Sequence, residues 1–181
     1  MYDAAPRDMN KTILQVVSGT WEAGLTASYQ RAFEAMGWRV ESFHLDSHRR
    51  AAFPGPAALD PIINRLLGYL DLAHVDHKAD RALMAKAREV DPAIVLIGCN
   101  EAVRAPTLVQ LKISLPRAKL VTIFPDTLFN MRRSLVEGLP LYDLFCTHTR
   151  AGIPYLERLG CRAPLFVPLA ADPWLHHPVP L

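Results

Sequence analysis

The stretch Ala93-Ile-Val-Leu-Ile-Gly98 decides the fold, because it is an uninterrupted apolar run that follows directly after Asp91-Pro92. A short run of this kind is typical of a strand that is covered on both faces, as strands of a parallel sheet are. Proline disfavours helical geometry in the residue before it, so Asp91 is predicted to end the preceding helix. The segment therefore predicts a helix, a tight connection and a fully buried strand in succession.

The same alternation of helix and strand extends outward from this run to both ends of the chain. Apolar residues recur with helical spacing between the strands, and Gly37 and Gly160 stand where helix C-caps are expected. Alternating elements predict an α/β domain with a doubly wound, mostly parallel, Rossmann-like sheet of about six strands and helices on both faces. Two β-α-β-α-β halves favour the strand order 3-2-1-4-5-6. The other strands are predicted at Thr12–Val17, Arg39–Leu45, Lys119–Phe124, Tyr142–Thr147 and Leu165–Val167.

The long connection before the central run is predicted to hold a loop and two helices. Residues 46–58 contain Pro54-Gly55-Pro56 and are predicted to be a loop. Apolar stripes at 59–70 and 75–90 predict helices, with a break near residues 73–76. Further helices are predicted at 106–115, 128–137 and 150–159.

Composition limits the classes of protein to which the chain can belong. It has 181 residues, of which 50% are hydrophobic and 21% charged, and a formal net charge of +2. This length suits one domain that needs no disulfide or metal for stability. So small a charge argues against a nucleic-acid binder that depends on a strong basic field.

The cysteines and the apolar segments point to a cytoplasmic protein. Cys99, Cys146 and Cys161 are odd in number and lack C-x-x-C spacing, which favours small buried thiols in a reducing compartment. The polar N-terminus has no apolar signal segment. No apolar stretch approaches the roughly 20 residues that a membrane helix needs. A lipid-linked substrate would still bring such a protein to a membrane surface.

The topology predicts where a binding site lies before any family is considered. Ligands of open parallel α/β sheets bind at the carboxyl ends of the strands. Four polar segments follow strands at that edge, and they contain Gly19, Thr20 and Trp21; Asn100 and Glu101; Asp126; and His148.

The segment after the first strand does not match a nucleotide-binding motif. Gly19 and Gly24 have the glycine spacing of a P-loop, but Leu25 stands where the phosphate-binding lysine is required. The G-x-G-x-x-G pattern is also absent. The segment is therefore either a glycine-containing turn that receives an anion on backbone N–H groups or an ordinary strand-to-helix turn.

Each polar candidate has a chemical and a structural interpretation. Asp126 is suited to act as a catalytic base or to bind sugar hydroxyls, and equally to cap the next helix; Asn100 and Glu101 have the same two interpretations. His148 is either an acid/base group or a hydrogen-bonded loop residue. Arg132 can hold a phosphate or carboxylate, or belong to a solvated helix face.

Several segments together resemble a known family. They are Ile13–Gly19, Asp91–Gly98, Val121-Thr-Ile-Phe-Pro-Asp126, Tyr142–Phe145, Tyr155–Gly160, and Val167-Pro-Leu-Ala-Ala-Asp-Pro173. In this order they resemble the N-terminal domain of CgeB-like (spore maturation protein B-like) glycosyltransferases, across residues 11–178. That family resembles the two-Rossmann-domain (GT-B type) transferases.

The resemblance implies a function for the domain and roles for its residues. In that architecture the N-terminal domain binds the acceptor, the C-terminal domain holds most of the nucleotide-sugar co-substrate, and no tightly bound metal or cofactor is required. The implied organisation is a flexible segment at 1–10, an acceptor-side domain at 11–168 and the start of an interdomain linker at 169–181. Asp126 becomes the expected catalytic residue. Gly19, Thr20 and Asn100 match the family's cleft-facing loops, and together with the other polar-loop candidates they make up the expected substrate-binding residues: Gly19, Thr20, Trp21, Asn100, Glu101, Arg132 and His148.

The resemblance also implies partners, and two other functions compete with it. The partners would be a sugar, glycan, protein or lipid-linked acceptor and the C-terminal donor-binding domain, which these 181 residues lack. A chain with only half of the cleft is expected to have little transferase activity. The alternatives are a stand-alone α/β ligand-binding or interaction module, and a dinucleotide-binding oxidoreductase domain, which the missing glycine motif disfavours.

Overall fold

A computed structural model of the chain describes residues 10–17, 24–50, 73–98 and 103–176. Six parallel strands form one sheet in these ranges. The strands are β1 (Thr12–Val17), β2 (Arg39–His44), β3 (Ile94–Ile97), β4 (Lys119–Phe124), β5 (Leu144–Thr147) and β6 (Pro164–Phe166). The helices are α1 (Leu25–Ala35), α2 (Leu45–Arg50), α3 (Ala73–Val90), α4 (Ala105–Ser114), α5 (Arg133–Gly138) and α6 (Ile153–Arg158). The predicted fold class is confirmed.

The strand order is β2-β1-β3-β4-β5-β6, so the predicted order 3-2-1-4-5-6 is wrong. β3 pairs with β1, with Ile13 opposite Ile94, instead of lying outside β2. The physical reason lies in the strands themselves. β3 is almost completely buried and needs a neighbour on each side, whereas β2 carries polar, partly exposed residues such as Arg39 and Glu41 that suit an edge.

The helices cover both faces of the sheet. The right-handed connection from β1 to β2 places α1 on one face of the sheet. The connections from β2 to β3 and onward to β6 run across the sheet in the opposite direction, so they place α3 to α6 on the other face. One buried cluster joins β1 residues Leu14 and Val16 to the α3 residues Leu83 and Ala87 and continues to Leu156 of α6. None of the residues of α1 is buried, so most of the core lies on the α3–α6 side.

Most predicted elements are confirmed to within two residues, and four differ. The predicted helix at 150–159 begins as a turn of 3₁₀ helix at Arg150–Gly152, and the α-helix α6 covers Ile153–Arg158. Leu45, predicted to end a strand, and residues 46–50, predicted to be a loop, form helix α2. Helix α3 begins at Ala73, so the predicted break at 73–76 is absent. The predicted helix at 128–137 is split into a turn of 3₁₀ helix at Leu128–Asn130 and helix α5. The predicted helix at 59–70 lies outside the described residues.

Positive backbone angles occur where three helices were predicted to end. Gly37 and Gly160 have φ of 78° and 89°, and Asp91 has φ of 43° directly before Pro92. Glycine adopts this conformation without steric cost, which is why it ends α1 and α6.

The two cysteines in the described ranges behave as the sequence predicts. Cys146 and Cys161 are buried and form no disulfide. Burial raises the pKa of both thiols, so neither is a reactive thiolate near neutral pH. Cys99 lies outside the described residues. No helix within the described ranges is long and apolar enough to cross a membrane.

Candidate functional site

The carboxyl edge of the sheet holds the candidate site, and the structure describes one half of it. The strand order reverses between β1 and β3, because the chain passes from β1 to β2 on one side and then continues at β3 on the other side. The crevice at the carboxyl ends of β1 and β3 is therefore the expected ligand position. The segments that follow these two strands in the sequence contain Gly19, Thr20, Trp21, Asn100 and Glu101, which all lie outside the described residues. The segments after β4 and β5 are described, and they contain Asp126, Arg132 and His148.

Asp126 is held by its own turn. Its Oδ1 accepts a hydrogen bond of 2.6 Å from the Thr127 N–H, and its Oδ2 accepts one of 2.9 Å from the side-chain amide of Asn130. Thr127, and not Asp126, precedes the Leu128–Asn130 turn as its N-cap, and no side chain caps that turn. Asp126 is therefore not a helix cap. Its carboxylate instead holds the turn together by accepting hydrogen bonds from Thr127 and Asn130.

These bonds also set the charge of Asp126. The Asn130 amide lowers the pKa of Asp126 most, the Thr127 N–H lowers it further, and the positive charge of His148 adds a smaller lowering effect. A carboxyl group with a lowered pKa is ionised throughout the neutral range. It is a ready acceptor of hydrogen bonds, although a weaker proton acceptor than an unperturbed carboxylate.

His148 follows β5 directly and lies close enough to Asp126 to act on its charge. Its ring is partly exposed, but Nδ1 is buried and has no hydrogen-bond partner among the described residues. A buried N–H without an acceptor costs about 1–3 kcal/mol. A buried lone pair without a donor is also costly, and Nε2 is the ring nitrogen that remains for a further hydrogen bond.

The segments after β4 and β5 pack against each other. A Cβ added at Gly152 would overlap Cδ1 of Leu128 and lie 3.3 Å from its Cγ, so the glycine lets the two turns touch. The Thr149 N–H donates to Oγ1 of buried Thr147 at 3.3 Å, which shapes the backbone around His148. This packing brings the turn that follows Asp126 against the turn that follows His148.

Arg132 lies beside these turns and is exposed. Its backbone carbonyl accepts the first hydrogen bonds of α5 from Leu135 and Val136. Its side chain makes no hydrogen bond or ion pair with another described residue, whereas the adjacent Arg133 pairs with Glu137 at 2.7 Å. The structure therefore distinguishes the two arginines that the sequence presents as a pair.

Phe129 is a candidate that the sequence analysis missed. Its side chain is 99% exposed, although Leu128 on one side packs against Gly152 and Asn130 on the other is bonded to Asp126. The position was predicted to lie inside a longer helix. In a continuous helix an apolar residue at position 129 would not have been recognised as exposed. The sequence pointed to Phe129 only through its closeness to Asp126.

A second feature is the buried side chain of Gln15 on β1, one of the two strands at the crevice. Gln15 is 1% exposed, and its Nε2 donates to the Thr26 carbonyl in the first turn of α1 at 3.0 Å. Its Oε1 is buried without a hydrogen-bond partner among the described residues. Buried side-chain amide oxygens normally have a hydrogen-bond partner.

The segment after β6 returns to α1. Asp172 forms a salt bridge with Arg31, in which both Nε and Nη2 of the guanidinium donate to Oδ2. The ring of Trp174 lies 4.8 Å from the Arg31 guanidinium carbon, so the cation stacks on the aromatic face. A hydrogen bond from Ser28 and the Arg31 pair hold the pKa of Asp172 far below its usual value. Residues 167–171 are exposed along the way.

Within the described ranges, no three His, Cys, Asp or Glu side chains cluster as metal ligands. No protein-family model matches the chain, and no curated protein sequence matches it. The resemblance to CgeB-like glycosyltransferases therefore rests on the segments quoted above, and any function has to be argued from the site.

Proposed function

We propose that the chain is the acceptor-binding half of a nucleotide-sugar-dependent glycosyltransferase. The observation that supports it is that an ionised carboxylate, Asp126, and a partly exposed imidazole, His148, follow the neighbouring strands β4 and β5 at the carboxyl edge of a parallel sheet. Ligands of such sheets bind at this edge. Together the two side chains supply what a reacting hydroxyl group needs, namely a proton acceptor and a hydrogen-bond donor.

The reaction assigns a distinct role to each residue. The acceptor hydroxyl oxygen forms the new bond to the anomeric carbon, the bond from that carbon to the nucleotide breaks, and the nucleotide leaves with the electron pair. The hydroxyl proton passes to the carboxylate of Asp126 as general base. His148 holds the acceptor oxygen or a neighbouring hydroxyl through Nε2–H. Arg132 is free to bind an anionic group of either substrate.

A second domain has to supply the donor site. Half of a cleft neither excludes water nor aligns two substrates, and these effects account for much of enzymatic acceleration. We therefore expect the 181-residue chain to bind an acceptor and to show almost no turnover. Robust transfer by this chain alone would contradict the proposed division of labour.

The decisive experiment compares Asp126→Asn with wild type in the protein that the complete reading frame encodes. Release of nucleoside diphosphate and transfer of labelled sugar are measured with a set of nucleotide-sugars. Loss of a general base is expected to lower kcat by about 10²–10⁴-fold and to leave the KM for the donor unchanged. Asp91→Asn is the matched control, because Asp91 is exposed, precedes β3 at the opposite edge of the sheet and has a backbone angle that asparagine tolerates. A wild-type kcat in Asp126→Asn would rule out the catalytic role.

One observation favours the second candidate, a stand-alone ligand-binding or interaction module. Asp172 and Trp174 hold the segment after β6 on α1 and direct it back across the domain. In a two-domain transferase this segment would lead toward the donor domain. A reading frame that ends at Leu181, together with no transfer from any nucleotide-sugar, would support the module. Tight binding of NAD in a titration would instead support an oxidoreductase domain.

A further inference from the structure

Phe129 differs from the other exposed apolar side chains in its position. Isolated exposed apolar residues are ordinary on protein surfaces and call for no explanation. Ile113, for example, is 74% exposed near the end of α4, at the opposite edge of the sheet. Phe129 lies in the candidate site itself, one residue before the asparagine that binds the Asp126 carboxylate.

The ring of Phe129 is carried by an ordered backbone. Leu128 packs against Gly152 behind it, and the Asn130 N–H donates to the Thr127 carbonyl at 2.9 Å. Asp126 bonds to both Thr127 and Asn130, which closes the turn. A rigid turn that presents an aromatic residue gives up little conformational entropy when a ligand covers the ring.

The polar side chains on the same turn and the neighbouring segments restrict the chemistry of that ligand. An aromatic face favours a flat apolar surface, while Asp126 accepts hydrogen bonds and His148 and Arg132 donate them. A pyranose ring has this combination, because its axial C–H groups form an apolar face and its hydroxyl groups surround the edge. A lipid chain would leave the ionised carboxylate and the arginine without partners.

We infer that the acceptor is a saccharide, whose pyranose ring stacks on Phe129 while its hydroxyl groups reach Asp126 and His148. This inference rests on the proposed function and narrows its acceptor from any hydroxyl compound to a sugar or glycan. It makes Phe129 a determinant of specificity. The residue takes no part in the transfer of the proton.

The test measures binding of simple saccharides to the 181-residue chain by NMR. The probes are the methyl pyranosides of glucose, galactose, mannose and N-acetylglucosamine, and sorbitol, an open-chain polyol that has hydroxyl groups but no ring face. We expect at least one pyranoside, but not sorbitol, to shift the signals of residues 126–130 and 148. Phe129→Leu is expected to weaken that binding at least about fivefold, since it keeps apolar volume and loses the aromatic face. Phe129→Tyr should retain it, and Ile113→Ala is the matched surface control.

Each alternative result overturns the inference. Sorbitol binding as tightly as the pyranosides, no pyranoside binding at millimolar concentration, or equal affinities of Phe129→Leu and wild type would each show that the ring is not a saccharide platform. The proposed function fails separately. If the complete protein binds saccharides but transfers no sugar, the proposed function fails and the saccharide site stands. If it transfers sugar to a non-saccharide acceptor, and Phe129→Leu does not change that transfer, the transferase function stands and the saccharide site fails.

Discussion

At the scale of single residues, Asp126 shows how a local hydrogen bond sets the chemistry of a site. The side chain is partly exposed, so burial contributes little, and the Asn130 amide and the Thr127 N–H stabilise the charged form. The pKa in the folded protein is lowered, so the carboxylate is present at all pH values above it. Its contribution to stability and to proton acceptance is lost only as the pH falls through the lowered pKa.

The hydrogen bond from Asn130 can be removed alone. In Asn130→Ala we expect the pKa of Asp126 to rise toward the roughly 3.9 of an unperturbed aspartate, because the largest lowering effect is gone. Side-chain carboxyl NMR signals followed through an acid titration measure it. His148→Gln should raise the pKa less, because the imidazole charge ranks below both hydrogen bonds. A larger rise in His148→Gln than in Asn130→Ala would reverse this ranking.

At the scale of elements, the site depends on two turns that belong to different βα units. Leu128 of the turn after β4 occupies the space that a side chain at position 152 would need. Arg150, in the turn after β5, stacks its guanidinium carbon 4.4 Å from the ring of Phe166 and so attaches this turn to β6. The geometry around Asp126 and His148 is therefore a property of packing between loops.

Gly152→Ala tests this packing. The new methyl group would force Leu128 and its turn to shift, which we expect to cost about 1–3 kcal/mol of the free energy of unfolding. Urea unfolding measures the cost, and the Asp126 signals should shift in the same variant. Adding Leu128→Ala makes room for the methyl group, so the double variant should lose less stability than the sum of the single variants. Strict additivity would show that the two positions do not touch.

At the scale of the whole molecule, one carboxylate joins three elements at the start of β5. Asp143 accepts hydrogen bonds of 2.8 Å from the Lys112 ammonium of α4 and from the Leu120 N–H of β4, and its own N–H donates to the Leu120 carbonyl at 2.8 Å. Burial alone would raise the pKa of Asp143. Lys112 and the Leu120 N–H outweigh burial, and the net pKa is lowered.

Asp143→Asn should therefore reduce stability in a pH-dependent way. Because the folded pKa lies below that of the unfolded chain, the wild type gains stability above about pH 4 and loses it as the pH falls further. We expect the variant to be about 1–2 kcal/mol less stable at neutral pH, from the loss of charge-assisted bonds. Urea unfolding at a series of pH values should show the gap narrowing in acid. A gap that is constant from pH 7 to pH 2 would contradict the assignment.

The sequence predicted elements better than arrangement, and particular residues explain why. Thr12–Val17 and Lys119–Phe124 were predicted without error, because a short β-rich run between polar residues is a local signal. The predicted strand order was wrong. The polar residues Arg39 and Glu41 could have identified β2 as an outer strand of the sheet, and the wholly apolar sequence of β3 could have identified it as an inner strand. The interruption of the predicted helix at residues 131–132 had no local signal, and the nearby Leu128 packs against Gly152 of the next βα unit.

The sequence by itself determined the α/β class, the positions of the strands and the edge at which Asp126 and His148 lie, because hydrophobic periodicity and chain direction are encoded locally. Only the tertiary structure decided that β3 lies beside β1, that the Asp126 carboxylate is bonded by Asn130, that Phe129 points out of the surface and that Asp172 returns to α1. These features arise from contacts between residues that are distant in sequence, or from turn geometry that such contacts impose. No pattern within a short window contains that information.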